Sequence, residues 1–488
     1  WAAFIQTMQR NVFAEGANAY QLADNLLGDS YAGYFGQAQD WDSGSNSTCY
    51  AFPTAKWKDE PYKQAYNNVM SSWNILRQKV DSASVVFALG EVVKVQAMHR
   101  VTDIYGPLPY TAFGKMSSGL PYDSQETVYR TFIKELDHAL KTLKAAYEAD
   151  SGAKPIADFD VVFDSDLEKW IRFANSLKLR LAMRIVYTDF TTDDGRTPQQ
   201  LAEEAVSSEL GVIEDNSGNA MYTGFGKDGN PFYVCFFSYK SGAGDHRVAA
   251  DIASFMNGYA DPRRASYFNE SAFAAGGYAG LRNGIQIPDD ERINNFSRYN
   301  VTASTSLMWM NASEVAFLRA EGALRGWAMG GDARSFYEEG IRLSFERCGV
   351  ADQLTAYMAS TALPGSYEDP AFGYSCSNQS TVTIPWNDGA AFEENLERII
   401  TQKWIANFPL GTEAWADYRR TGYPRLFPVV VNNNPDITNL QLGARRMTYP
   451  LEEYEANGET IRAAVDQWLG GQDKMSTRLW WDCNPRIR

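Results

Sequence analysis

The amino-acid sequence predicts a mostly α-helical protein in which a regular helical scaffold carries long irregular, loop-rich insertions. Segments with the apolar spacing of amphipathic helices follow one another without strand-like segments between them. Three intervals interrupt this pattern, at 24–60, 211–310 and 360–390. Irregular stretches of this length are uncommon in compact domains unless they have a function. We therefore expect ligand-contacting residues in these intervals.

Two of the predicted helices have start signals as well as apolar periodicity. Ser165 and Glu168 form a capping-box pattern at the start of 165–187, and Asp123 begins the helix predicted over 123–147. The same periodicity predicts further helices at 61–80, 88–104, 197–210, 247–257, 312–328, 333–348, 391–407, 411–421 and 457–469.

Helices 312–328 and 333–348 are separated by a short loop, which is typical of the antiparallel helix pair of a tetratricopeptide unit. Ala320 and Ala323 are small enough to let the two helices approach closely. Because other predicted pairs have a similar layout, we expect a single domain over 1–488. Its tetratricopeptide-like scaffold is expected at about 61–210 and 311–348, together with 391–421.

The composition disfavours several classes of partner. The formal net charge of −15 argues against nucleic acid and anionic membrane surfaces, because both are bound through clustered Lys and Arg. No run of about 18 apolar residues occurs, so no segment is predicted to cross a membrane. Since the chain begins at Trp1 rather than Met, we expect a targeting signal or a lipid-bearing residue to lie upstream.

The cysteines do not form a metal-binding or redox motif. All five are widely spaced without a Cys-x-x-Cys pair, which argues against zinc-ribbon and thioredoxin-like sites. An odd number leaves at least one thiol unpaired, and a bridge between Cys348 and Cys376 is one pairing to test. We predict neither a metal site nor a cofactor.

Motifs for catalysis are weak in this sequence. GFGKDG at 224–229 has the glycine spacing of a dinucleotide-binding turn, but Asn230 and Pro231 follow it, and no long helix is predicted there. Asp245 beside His246 is a poor acid–base pair, because adjacent residues seldom face each other. Carboxylates are too numerous for counting to exclude a glycosidase pair, which is defined by separation in space.

The segment 401–426 contains the acids, arginines and aromatic residues of a polar active site, yet a helix explains them equally well. If 411–421 is helical, Glu413 lies in its first turn, where the helix dipole favours a negative charge. Arg419 and Arg420 then lie in the last turn, where cations are favoured. We therefore predict a structural role for this segment.

The same segment resembles a known family. QKWIANFPLGTEAWADYRRTGYPRL, at 402–426, is similar to the C-terminal part of the SusD/RagB family, the surface glycan-binding lipoproteins of Bacteroidetes. The sequence of 280–327 is most similar to the second SusD-like branch of this family. Further blocks resemble the family in the same order, and together they cover most of the chain: VTDIYGPLPY (101–110), PYDSQETVYRTFIKELDHAL (121–140), FANSLKLRLAMRI (173–185), SEVAFLRAEGALRGW (313–327) and RRMTYPLEEYEAN (445–457).

The resemblance implies a binding protein and not an enzyme. Such a protein captures an oligosaccharide at the outer face of the outer membrane and closes as a lid over a SusC-like TonB-dependent transporter. A lipid anchor upstream of Trp1 would then be its only membrane contact and would hold it at the cell surface. Two alternatives are kept: the same scaffold binding peptide or other nutrient cargo, and an all-helical glycoside hydrolase.

Ligand-contacting residues are predicted from the chemistry of sugars. Pyranose C–H faces pack on aromatic rings, while amide and guanidinium groups bond the hydroxyls. In the family, stacking aromatics come from a loop after the first helix and from the irregular middle region. The alternation between 233 and 239 could instead form a strand with one buried face. The predicted contacts are Trp41, Asn46, Tyr50, Tyr233, Phe237, Tyr239, Arg247 and Tyr278.

Overall fold

The computed structural model describes residues 1–41, 46–52, 54, 56–115, 119–274 and 276–487, and within them the fold is mostly helical, as predicted. The helices of the first half are α1 (Ala2–Arg10), α2 (Ala17–Tyr20), α3 (Glu60–Gln64), α4 (Ser71–Lys79), α5 (Val85–Tyr105), α6 (Gln125–Ala149), α7 (Leu167–Arg184), α8 (Pro198–Ser207) and α9 (Pro231–Tyr233). Those of the second half are α10 (Ala250–Gly258), α11 (Arg264–Tyr267), α12 (Ala312–Leu324), α13 (Ala333–Arg347), α14 (Leu354–Met358), α15 (Phe392–Asn407), α16 (Gly411–Thr421), α17 (Leu451–Ala456) and α18 (Gly458–Trp468).

Other helical forms and short strands complete the structure. The π-helical segments are Gln21–Asp29, which continues α2, Ala65–Met70, which joins α3 to α4, and Val234–Ser238, which continues α9. The 3-10 turns are Ser47–Cys49, Trp57–Asp59, Asn216–Gly218, Lys240–Gly242, Glu291–Asn295 and Ala351–Gln353. The strands are β1 (Phe35–Gln37), β2 (Ala220–Tyr222), β3 (His246–Val248) and β4 (Leu307–Met310), paired antiparallel as β1 with β3 and β2 with β4.

Two predicted helix starts are wrong by one residue. Helix α7 is capped by Asp166, whose carboxylate accepts a 3.1 Å hydrogen bond from a first-turn amide, and Ser165 lies outside the cap. Helix α6 is capped by Ser124. The carboxylate of Asp123 instead accepts a 2.7 Å hydrogen bond from the amide of Thr111. A short polar side chain one residue away competes for the same capping role, which the sequence pattern does not resolve.

The predicted tetratricopeptide-like pair is present as α12 and α13, which pack against each other. Gly340 of α13 faces the ring of Phe317 so closely that a Cβ at this glycine would lie 2.7 Å from the ring. Ala320 is fully buried in α12. Helices α5, α6, α7 and α8 pack in sequence order in the same way. The regular scaffold is thus made of neighbouring helix pairs.

Buried ion pairs join helices that are distant in sequence. The guanidinium of Arg184 in α7 lies between the carboxylates of Glu413 in α16 and Asp103 in α5. Arg420 of α16 donates hydrogen bonds of 2.6 and 2.8 Å to the two carboxylate oxygens of Glu321 in α12. Buried charges are tolerated only when they are paired and hydrogen-bonded. The segment 401–426 therefore has the structural role that the sequence predicts.

Two alternatives raised by the sequence are wrong. The residues from 233 to 239 form a helical turn and not a strand, so side chains four positions apart share a face. The five cysteines are all free, so there is no bridge between Cys348 and Cys376. Cys348 follows the end of α13, whereas the backbone of Cys376 pairs with that of Tyr367.

Candidate functional site

A short antiparallel ladder joins two of the irregular intervals. Strands β1 and β3 pair so that Gln37 lies opposite His246 at the end of the ladder. One step further, the amide of Ala38 donates to the carbonyl of Asp245 over 2.8 Å. The residues that follow Ala38 and those that precede Asp245 therefore lie side by side, although they are far apart in sequence.

An open depression of about 440 Å³ lies at this end of the ladder. Trp41 and Tyr239, both half-buried, border it. The ring of Trp41 packs edge-on against Trp57, with centroids 5.2 Å apart and an interplanar angle of 78°. The remaining lining residues are polar or charged: Asn18, Gln21, Gln39, Lys240 and Asp245.

Tyr239 is held by its backbone, which leaves its side chain available. Its amide donates to the carbonyl of Val234 over 3.0 Å, and its own carbonyl accepts from two amides of the following turn. Lys240 and Ser241 in that turn have left-handed φ values of 51° and 53°, which are costly for residues other than glycine. Burial raises the pKa of Tyr239 to about 12, so its hydroxyl stays protonated at neutral pH. That hydroxyl has no hydrogen-bond partner among the described residues.

Asp245 and His246 do not form an acid–base pair. The side-chain amide of Gln21 donates to the Asp245 carboxylate over 2.9 Å and lies 3.1 Å from Nε2 of His246. Burial, followed by the charge of Arg247, lowers the pKa of His246 to about 3, whereas burial raises the pKa of Asp245. The imidazole is therefore neutral at physiological pH and fully buried, so it does not reach the depression as a catalytic acid.

Comparison with known proteins shows the family to which this chain belongs. The family model described as "SusD-like: Susd and RagB outer membrane lipoprotein" matches residues 1–482. The chain belongs to the SusD-like family. Membership implies an outer-membrane location, and in the part of the chain that the structure describes no helix is long and apolar enough to cross a bilayer. A search of curated proteins found no match.

Solved structures of SusD homologs match this SusD-like protein over nearly its whole length. One from Bacteroides uniformis is 41% identical, with a TM-score of 0.91 and 99% of each chain covered. One from Bacteroides ovatus is 37% identical, with a TM-score of 0.91 and 99% of each chain covered. A chitin-binding SusD homolog from Flavobacterium johnsoniae is 37% identical, with a TM-score of 0.92, and covers 99% of this chain and 98% of its own.

Tyr233 and Phe237 form a second aromatic pair in this SusD-like protein. Their rings stack four residues apart along the helical turn, with centroids 5.7 Å apart and an interplanar angle of 28°. The guanidinium of Arg298 lies 4.5 Å from the centre of the Phe237 ring and also donates to the carbonyl of Gly242. Both rings are half-buried. They precede Tyr239 in the chain but are not among the residues that line the depression.

Two of the predicted contacts are buried and bonded within the protein. The Asn46 side chain accepts from the amide of Thr48 over 2.9 Å and donates to the carbonyl of Ile285 over 3.0 Å. Arg247 is 1% exposed and donates to the carbonyl of Ile293 and to other acceptors around it. These internal hydrogen bonds satisfy the polar groups of both side chains. We therefore do not propose Asn46 and Arg247 as ligand contacts.

Tyr50 and Tyr278 lie elsewhere. Tyr50 is buried at 7% exposure and packs on Tyr31, with ring centroids 5.9 Å apart. Tyr278 is half-buried against Phe268, and the guanidinium of Arg264 lies 5.6 Å from the centre of its ring. Neither borders the depression around Trp41.

Sequence reasoning missed four polar residues of the depression: Asn18, Gln21, Gln39 and Lys240. Asn18 and Gln21 lie on α2 and its π-helical continuation, which were not predicted as helix. Because helical segments continue to Asp29, the first irregular stretch is shorter than the predicted interval 24–60. Residues 42–45, 53 and 55 of that interval, and 275 of 211–310, lie outside the described residues.

Proposed function

We propose that this SusD-like protein captures oligosaccharides on the depression bordered by Trp41 and Tyr239, without cleaving them. The observation that supports the proposal is that these two rings, from separate intervals, border one depression together with the polar side chains of Gln21, Gln39 and Lys240. Aromatic faces and polar groups on one surface match the two sides of a sugar ring. No described residue accepts a hydrogen bond from the Tyr239 hydroxyl, which can therefore donate to a ligand.

Binding without turnover is supported by the acids of this surface. Asp245 is the one carboxylate among the described residues that line the depression. Glycosidases use two carboxyl groups, separated by about 5–10 Å across the bond that is cleaved. We infer that the protein holds its ligand and does not hydrolyse it.

The ligand class is proposed from sugar chemistry and from one relative. The Flavobacterium johnsoniae homolog, 37% identical, is described as chitin-binding. Chitin oligosaccharides are therefore the first ligands to test, within an array of glycans of other linkages. Binding is measured by calorimetry, and turnover by the appearance of new reducing ends. New reducing ends would contradict the proposal that the protein does not cleave its ligand. If peptides bind more tightly than every glycan, the ligand is peptide and not oligosaccharide.

A transporter partner is part of the proposal. We infer that the protein is anchored at the cell surface by a lipid and covers a SusC-like TonB-dependent transporter, to which it delivers the ligand. We expect this contact to use the regular helical scaffold and to bury more than the roughly 2,000 Å² at the upper end of standard-size interfaces. Extraction in mild detergent should co-purify such a transporter. Repeated isolation of the lipidated protein alone would contradict the partnership.

A further inference from the structure

A second cavity, of about 500 Å³ and more enclosed than the depression, lies between the end of α16 and the irregular chain that follows it. Its volume is within the range of about 300–1,000 Å³ that is typical of small-molecule sites. Residues from 422–429 and 440–445 line it, together with Tyr31 and Tyr50. None of the residues that line the depression around Trp41 lines this cavity, so the two are separate.

Aromatic rings form the inner wall of the cavity. Tyr31 packs against Tyr50 and against Trp415, with ring centroids 5.9 and 5.2 Å apart. Hydrogen bonds fix the rings: the Tyr31 hydroxyl donates to the carbonyl of Ser47 over 3.1 Å, and the Trp415 indole donates to that of Ala444 over 3.3 Å. The wall is therefore rigid before any ligand arrives, which lowers the entropic cost of binding.

The arginines that border the cavity are already paired with acids. Arg425 lies 3.2 Å from a carboxylate oxygen of Glu397, and Arg486 lies 2.7 Å from one of Glu393. At the floor, the carboxylate of Asp251 accepts a 2.7 Å hydrogen bond from a backbone amide, and burial raises its pKa. Because these charges are already balanced by partners, an ionic ligand gains less here than it would beside unpaired arginines. A neutral ligand has no such disadvantage.

Polar side chains that a ligand could reach also line this cavity. The hydroxyl of Tyr50 makes no hydrogen bond to a described residue, although Tyr50 is only 7% exposed. Gly443 passes close by with a φ of +61°, and a Cβ there would lie 2.6 Å from that hydroxyl. The side chains of Gln379 and Gln441 are exposed at the rim. Together these groups provide donors and acceptors beside an aromatic wall.

We propose that this cavity is a second binding site, for a neutral polyhydroxylated ligand of about one or two sugar rings. The ligand class rests on the proposed function, but the site does not depend on the depression around Trp41. Two sites on one chain would hold a long glycan at two points, which raises its overall affinity above that of either contact.

The test uses single substitutions in the full chain. Tyr50→Phe removes only the free hydroxyl, and Gln441→Trp fills the entrance, while the backbone carbonyl of Gln441 keeps its bond from Tyr418. Matched controls are Tyr374→Phe and Gln472→Trp, which line neither site. Tyr239→Ala disables the depression. The probes are the disaccharide and hexasaccharide of the α-1,4-, β-1,4- and β-1,3-glucan series and of the best ligand on the glycan array.

Calorimetry should show that Tyr50→Phe weakens disaccharide binding about three- to tenfold, the effect of one hydrogen bond. Tyr239→Ala should leave disaccharide binding at the cavity in place, and adding Gln441→Trp to Tyr239→Ala should abolish it. If both cavity variants bind every probe like the wild type while Tyr239→Ala loses binding, the cavity is not a site and the proposed function stands. If the wild-type protein binds no saccharide at all, the proposed function and this inference both fall.

Discussion

Trp41 and Tyr239 border the same depression because strands β1 and β3 pair, although the two residues are far apart in sequence. Trp41 follows β1 and Tyr239 precedes β3. The antiparallel register carries both side chains to the same end of the ladder. This relationship places two of the predicted aromatic residues on the proposed ligand surface, and it is the basis of the first prediction.

Replacing either ring should weaken ligand binding without unfolding the protein. We expect Trp41→Ala or Tyr239→Ala to lower oligosaccharide affinity by about 1–3 kcal/mol, the cost of losing an aromatic contact. Both side chains are half-buried at the surface, so the thermal midpoint should change little. Calorimetry and thermal unfolding measure the two quantities. Trp468→Ala, at an exposed tryptophan outside the depression, is the control and should bind normally.

A large fall in the midpoint, with normal affinity in the folded fraction, would show that the replaced ring is part of the core. The stacked pair Tyr233 and Phe237 would then be the next place to look for the sugar platform.

The ion pair between Arg420 and Glu321 should make stability depend on pH. Burial alone raises the pKa of Glu321, but the guanidinium groups of Arg420 and Arg325 outweigh it and lower the pKa to about 2. A carboxyl whose pKa is lower in the folded protein stabilises the fold above its unfolded pKa, near 4.5. That contribution, roughly 3 kcal/mol, is lost as the pH falls from about 4.5 to 2.

Glu321→Gln tests this contribution. At pH 7 it should reduce the free energy of unfolding by about 3–5 kcal/mol, because it leaves a buried guanidinium without its main partner. The difference from the wild type should shrink below pH 4. The control is Glu338→Gln, which breaks an exposed pair with Arg334 and should cost less than about 1 kcal/mol. Urea unfolding at several pH values gives these numbers, and a difference that does not vary with pH would contradict the prediction.

The close contact between α12 and α13 should not tolerate a side chain at position 340. In Gly340→Ala the new Cβ would lie 2.7 Å from the ring of Phe317. We expect a loss of about 1–3 kcal/mol from this crowding, which exceeds the roughly 0.5–1 kcal/mol that alanine gains over glycine in a helix. Gly16→Ala, where no atom lies within 4 Å of the new Cβ, is the control. Equal stability of the two variants in chemical denaturation would refute the close contact.

All five cysteines should be free thiols. Titration of the unfolded, unreduced protein with a thiol reagent is expected to give five equivalents per chain. In the native protein Cys235 should react slowly, because it is fully buried and burial raises its pKa. Pretreatment with a reductant is the control and should not change the total. A total of three without reductant would reveal a disulfide.

The helical scaffold was predictable because its signals are local. Apolar residues repeat at helical spacing within each segment, so α6, α7, α12 and α13 were predicted to within a few residues of their observed bounds. Most of the blocks that resemble the SusD/RagB family lie in the same scaffold, so they identify the family without indicating the contacts proposed around Trp41. The helix starts at α6 and α7 failed by one residue, because adjacent polar residues are equally good caps in sequence.

The ligand surface depended on tertiary structure. The sequence places Asn46, Arg247 and Trp41 in the intervals 24–60 and 211–310. It does not show that Asn46 and Arg247 are buried with their polar groups bonded internally, or that Trp41 is half-exposed. Local periodicity therefore determined the scaffold, and the resemblance of ordered sequence blocks identified the family. The long-range pairing of β1 with β3 decided which aromatic rings border the same depression, since contacts between distant segments leave no periodic trace in either segment.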